Sequence, residues 1–322
     1  MALLGNGALV NDEEHRLRWS RPAILAVGAP GAVVEEVSEV KPSSAAPVIV
    51  GVDGSASSTS AVRSAAALAS MYGLPLRVMH AFNWLPGQPE HIDVHPGATA
   101  HGLIEQAVAT AQLVSPSLPI NTRLMEGAPS ATLLRQAHTA ALLAIGDGGL
   151  SSHVCLPTHT SAVHIATRAS CSVLVARESQ PSEGSIVVGL NGSPASERAL
   201  DFAFDIAARS GAGLVVVRAE TSVTADDLHH LAGLVAVRED KYHITARTRI
   251  LPGDPAVTLV AESEQASLVI IGARGQQRYG GLLGSVAQTL LHHSCAPLIL
   301  VRGLISPPPD QFEQFLAATA TN

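Results

Sequence analysis

Residues 47–81 read PVIVGVDGSASSTSAVRSAAALASMYGLPLRVMHA, and residues 185–219 read SIVVGLNGSPASERALDFAFDIAARSGAGLVVVRA. The two stretches align without a gap, so Asp53 faces Asn191, Gly54 faces Gly192 and Ser55 faces Ser193. A second pair follows in each half: LLAIGDGGL (142–150) and LVIIGARGQ (268–276). Repeats of this length point to two copies of one domain and not to a solenoid of short units. A site in one copy should therefore have a counterpart in the other.

Each copy opens on a short apolar run, Val48–Val52 and Ile186–Leu190, of the kind found in strands buried on both faces of a parallel sheet. A small-residue turn follows, then an Ala-rich helical segment (58–72 and 195–210). Gly73 and Gly211 stand where a helix C-cap is expected. Ser55 and Ser193 read as N-caps of the same helices, since no GxSxG elbow surrounds them. Further strands are predicted at 75–81, 120–125, 142–146 and 172–177, and at 213–219, 245–251, 268–272 and 297–302. Helices fit between them. The fold class is α/β: two tandem Rossmann-like domains, each a five-stranded, mostly parallel sheet with helices on both faces.

The expected boundaries are a flexible N-terminal extension (1–46), a first domain (47–178), a linker (179–184), a second domain (185–303) and a C-terminal tail (304–322). The net charge is −7 with no Lys/Arg run, which argues against a nucleic-acid partner bound through phosphates. No segment has the length and apolarity of a membrane span. Asp12, Glu13 and Glu14 come early, and no basic region followed by an apolar core marks a secretory signal. Three cysteines (Cys155, Cys171, Cys295) make no disulfide framework, so a reducing cytoplasm is expected. Cys171 and Cys295 precede the last strands and read as buried, inert thiols.

In an open parallel sheet, ligands bind beyond the carboxyl ends of the strands. The loop there in the second copy reads GARGQQRYGGLLGSVAQTLL (272–291). Gly272 and Gly275 permit close backbone approach, and Gly284–Ser285 begin a helix whose free N–H groups favour phosphate. Arg274 and Arg278 add charge. The loop is neither a P-loop nor a GxGxxG turn. Glycines alone are equally compatible with a ligand-free turn; their place between a strand and a helix favours a ligand.

VGVDGS (50–55), VGLNGS (188–193) and IGARG…GGLLGS…APLILVR (271–302) resemble the universal stress protein family in its tandem form, over roughly 47–178 and 185–303. That resemblance implies an adenine nucleotide alpha hydrolase-like fold and, in ATP-binding members, a loop of pattern G-x2-G-x9-G-[ST]. It implies an ATP pocket lined by Asn191, Ala219, Ile271, Gly272, Arg274, Gly275, Gly284 and Ser285, with Mg an optional companion. It also implies pairing of domains, or of two chains, through 172–177 and 297–302. The second copy departs from the pattern in two ways. Eight residues separate Gly275 from Gly284, and Asn191 replaces the family's Asp. The first copy keeps Asp53, Gly146 and Gly149 but places His159 and Thr160 where Gly-Ser belongs, with Gly148 at the Arg position. Its site (Asp53, Gly146, Gly149, Thr160) reads as the weaker one.

His91 and His95 could share a strand face, and His229–His230 and His292–His293 are adjacent pairs that diverge on a helix, so no metal site is expected. Asp226 and Asp227 suit a helix start. No catalytic residue emerges. Three functions stay open: a nucleotide-binding regulator of stress or growth with an unidentified protein partner, a slow ATP hydrolase, and a nucleotide-independent pairing module.

Overall fold

The computed structural model describes residues 33–36, 45–82, 96–148, 161–178, 184–220, 225–273 and 283–302. In the first half, β1 (Val33–Glu36) precedes β2 (Val48–Gly51), α1 (Ala56–Tyr72), β3 (Leu76–Phe82) and α2 (Pro96–Val114). Then come β4 (Ile120–Glu126), α3 (Pro129–Gln136), β5 (Leu142–Gly146), α4 (Ser161–Arg168) and β6 (Ser172–Ala176). The second half repeats the order from the second strand on: β7 (Ser185–Leu190), α5 (Pro194–Ser210), β8 (Leu214–Glu220), α6 (Ala225–Tyr242) and β9 (Ala246–Pro252). It closes with α7 (Pro255–Ser263), β10 (Ala266–Gly272), α8 (Ser285–His293) and β11 (Leu298–Val301).

Each half forms the expected five parallel strands, in the orders β4-β3-β2-β5-β6 and β9-β8-β7-β10-β11. They do not stay separate. β6 and β11 pair antiparallel, Leu298 opposite Val175 and Leu300 opposite Val173, so the halves share one sheet of eleven strands. The eleventh, β1, lies within a segment for which sequence reading assigned no strand; it pairs antiparallel with β4.

Local chemistry sets the helix ends. Ser55 Oγ accepts from Ser58 N–H at 3.1 Å, and Ser193 Oγ accepts from Ser196 N–H at 3.2 Å. Both serines thus cap their helices as read from sequence. Gly73 (φ 62°) and Gly211 (φ 71°) end those helices in the left-handed region, which costs glycine little.

Strand side chains alternate between two cores. Val48, Val50, Val188 and Ile299 face α1, α2, α5 and α6 in one apolar cluster that runs through both halves. Ile49, Val187, Val269 and Leu300 face α3, α4, α7 and α8 in a second. Each fully buried aliphatic side chain contributes about 1.5–3 kcal/mol of transfer free energy, so two cores that ignore the boundary bind the halves together.

Polar contacts fix the seam. Tyr72 Oη on α1 donates to Asp205 Oδ2 on α5 at 2.6 Å, and the Tyr72 and Phe202 rings stack at 6.5 Å. Arg177, after β6, donates through Nη2 to Leu290 O and Leu291 O at the end of α8, both at 2.9 Å. Arg302, after β11, likewise donates through Nη2 to Ala166 O and Thr167 O at the end of α4. Cations at helix C-termini satisfy free carbonyls and complement the dipole.

Cys171 is buried as expected, and burial raises its thiol to about 11 despite the nearby Arg302 charge. Cys295 is exposed, contrary to its reading as a buried thiol. Its N–H donates to Ser263 Oγ at 3.0 Å while the neighbouring Ser294 hydroxyl and Ala296 face inward, which turns its side chain outward. Cys155, His91, His95 and His159 lie outside the described residues.

Candidate functional site

The strand order reverses between β7 and β10 in the second half and between β2 and β5 in the first. Such switch points open a crevice at the carboxyl ends of the strands. In the second half a cleft of about 130 Å³ lies there. Asn191 follows β7, Ile271 and Gly272 end β10, and Gly284 and Ser285 open α8; all five line the cleft. Sequence reading named those five for one pocket, and the fold brings them together. Ala219 does not line it: this residue is buried near the end of β8, opposite Leu251. Arg274 and Gly275 lie outside the described residues.

The floor was not foreseen. Pro255 and Leu259 of α7 and Gly189 of β7 complete the cleft. A Cβ on Gly189 would come within 2.8 Å of Leu259 Cδ1, so the Leu259 side chain of α7 rests directly on this glycine and would have to shift for any larger residue. Gly51, its aligned partner, stands in the same relation to Leu133 of α3, at 2.7 Å. The glycine repeated in VGVDGS and VGLNGS was the signal for that floor.

Gly272 serves packing as well as the cleft. A Cβ there would fall 2.6 Å from the carbonyl carbon of Ala195, in the first turn of α5. Gly146, its counterpart, would bring a Cβ to 2.7 Å from Ser58 N. These glycines let the N-terminus of the first helix close down on the end of the fourth parallel strand.

Asn191 already has a local task. Its Oδ1 accepts the Ser193 N–H at 3.1 Å, closing the turn that leads into α5. Asp53 does the same in the first half, accepting Ser55 N–H at 3.0 Å and Ser55 Oγ–H at 2.6 Å. Partial burial opposes the Asp53 charge, but hydrogen bonds from Ser55 and Ser58 outweigh it and hold the carboxyl below its ordinary range. Asp53 is exposed and Gly146 ends β5; Gly149 and Thr160 lie outside the described residues.

The start of α8 differs from its neighbours. Ser193 caps α5 and Asp254 caps α7, accepting from Ala256 N–H at 2.8 Å and Val257 N–H at 3.1 Å. Gly284 offers α8 no side-chain cap. Among the described residues no side chain accepts from the N–H groups of its first turn, which suits them to an anionic ligand or to water at the wall of the cleft. Among the described residues, no three His, Cys, Asp or Glu side chains converge to hold a metal ion. No helix among them is long and apolar enough to cross a membrane.

The model of the Universal stress protein family matches the chain twice, at residues 46–177 and 184–302. A universal stress protein of Mycolicibacterium smegmatis is 31% identical over 286 residues, spanning 79% of this chain and 96% of its own. One from Mycobacterium tuberculosis is 30% identical over 284 residues, with the same shares. The crystal structure of a universal stress protein from Archaeoglobus fulgidus superposes with a TM-score of 0.65 at 15% identity, over 80% of this chain and 99% of that one. At that identity the likeness concerns the fold alone.

Proposed function

Because the chain belongs to the universal stress protein family, we propose that it is a cytoplasmic regulatory protein that binds ATP in its second half. The observation that carries this reading is the uncapped start of α8 at Gly284–Ser285, set in a cleft at the β7/β10 switch point. Helix N–H groups and the Ser285 hydroxyl would meet the phosphates, and Asn191 would face the adenosine part. The cleft is smaller than typical ligand pockets of roughly 300–1,000 Å³, so part of the nucleotide would lie outside it. Magnesium, where it accompanies ATP, would be held by phosphate oxygens and water more than by protein carboxylates. The cytoplasmic setting draws support from Cys171, kept as a free thiol in the core.

The test is a titration of ATP against the full chain and against Gly284→Asp. A carboxylate at the start of α8 repels phosphate and occupies its donors, so ATP affinity should fall at least about tenfold. Equal affinity in the two proteins would remove the assignment.

The seam favours a second reading, a pairing module that works without nucleotide. β6 and β11 join the halves in one sheet, so the pairing edge is used within the chain. ATP binding that leaves partner capture unchanged would favour it.

A further inference from the structure

The shared sheet ends in two outer strands, β1 and β9. β4 and β9 are counterparts in the repeat, yet β4 is covered and β9 is not. TRLM (122–125) in the one aligns with TRIL (248–251) in the other. Thr122, Leu124 and Met125 of β4 are buried, and β1 lies along this strand, with Glu35 opposite Leu124 and Glu36 opposite Arg123. In β9, Thr248 is exposed and Ile250 and Leu251 are partly exposed. Residues 228–273, which flank β9 on both sides, are all described, and no described strand pairs with its outer edge.

Backbone direction defines the open positions. Gly253 N–H donates to Glu220 O on β8, and successive residues of a parallel strand turn their backbone groups to opposite sides. Arg247, Arg249 and Leu251 therefore bond to β8, while Thr248 and Ile250 point their N–H and C=O groups outward. Ala246 N–H is taken by Glu239 Oε1 at 2.8 Å, and Pro252 has no N–H. The usable edge is short, as the four-residue β1 is short. Two arginines share one face beside it. Arg249 Nη1 donates to both oxygens of Glu262 on α7, at 2.8 and 2.6 Å, and Arg247 is exposed with no ion pair among the described residues.

We propose that the outer edge of β9 takes up an extended segment of a partner protein, built of aliphatic and acidic residues, as a further strand of the sheet. It fills beside β9 the place that β1 fills beside β4. Main-chain bonds to Thr248 and Ile250 supply affinity, and carboxylates opposite Arg247 and Arg249 select the partner. An unpaired edge is a template for such pairing. A second copy of the chain fits less well. Antiparallel pairing of Thr248 with the twin's Ile250 would set the two Arg249 side chains directly opposite, and like charges there are destabilising. The edge lies apart from the proposed ATP cleft, which no residue of β9 lines.

The probe is a fluorescein-labelled peptide of residues 31–38, GAVVEEVS, titrated against the full chain at low salt and read by anisotropy. Saturable binding is expected, and a peptide with both glutamates changed to lysine should not bind. Thr248→Pro removes an outward N–H at an edge position that tolerates proline, and should weaken binding about tenfold. Arg247→Glu reverses an exposed charge and should weaken it severalfold. Failure of the wild type to saturate would overturn the proposal, as would equal binding of the lysine peptide. So would binding that either variant leaves intact, since the peptide would then lie elsewhere, as along β4 in place of β1. A dimer in sedimentation that Thr248→Pro dissolves would also overturn it, because β9 would then pair with its twin. Should Thr248→Pro fail to fold, Arg247→Glu and the lysine peptide decide.

Discussion

Arg177 Nη1 lies 3.6 Å from Asp147 Oδ2, both side chains buried, and the same guanidinium holds the last carbonyls of α8. Burial pulls the arginine below its ordinary range and the Asp147 charge pushes back. Removing one partner of a buried pair strands the other, whereas replacing both can cost far less. Arg177→Met should therefore destabilise by about 3–5 kcal/mol, and adding Asp147→Asn should recover a large part of it. Denaturant unfolding of the two single variants and the double variant measures the coupling. A double variant as unstable as the sum of the singles would mean that the pair contributes nothing.

Tyr72 is the corresponding contact between α1 and α5. Burial first, then its bond to Asp205, raises the phenol above its ordinary value. The folded state thus favours the protonated ring, and the unfolded chain releases the proton near pH 10. Stability from this group is complete below pH 10 and is lost as pH rises beyond it. Tyr72→Phe should cost about 1.5–3 kcal/mol at pH 8, the range for a hydrogen bond to a charged acceptor. The gap between variant and wild type should narrow above pH 10, as read by urea midpoints. A gap constant with pH would show that Tyr72 titrates alike in both states.

Gly272→Ala tests packing against ligand contact. The added methyl would press on the backbone of Ala195, where the neighbour is a helix turn and cannot swing aside. Overpacking of this kind costs about 1–3 kcal/mol. Gly146→Ala should cost a similar amount in the first half, against Ser57 and Ser58. If ATP binds as proposed, only Gly272→Ala should also weaken it. Thermal unfolding with and without ATP separates the two effects.

The repeat made most of the architecture legible. Apolar runs such as Val48–Val52 and the cap residues Ser55, Gly73, Ser193 and Gly211 act within a few residues of themselves, so local rules sufficed. The seam was legible only in part. Pairing through β6 and β11 was expected only from the family resemblance, and the Arg177 bond to Leu290 joins residues 113 apart, with nothing nearby in sequence to mark it. Asn191 was legible as part of the small-residue turn after β7, but the bond its side-chain oxygen accepts from Ser193 N–H was not, since the same oxygen could equally face a ligand. Cys295 was misread because its place before a strand resembles that of Cys171; only the path of the chain after α8 tells the two apart.

Those two cysteines should differ chemically. Cys171 is buried and its thiol lies near 11, so little thiolate forms at pH 8. Brief iodoacetamide treatment followed by peptide mapping should modify Cys295 and spare Cys171 until denaturant is added. Equal labelling of the two in the native protein would show that the α4–β6 corner opens readily.

Asn191→Asp asks whether the departure at this position matters to function. The turn should survive, because Asp53 closes the same turn through the same oxygen in the first half. Its new carboxyl should titrate below the ordinary range as Asp53 does, so any stability gained would hold at neutral pH and vanish on acidification. A carboxylate accepts hydroxyl hydrogen bonds more strongly than an amide, while it repels phosphate. Adenosine affinity should therefore rise severalfold in the variant, and ATP affinity should rise less, in paired calorimetric titrations. An adenosine affinity unchanged by Asn191→Asp would mean that residue 191 shapes the turn and does not touch the nucleoside.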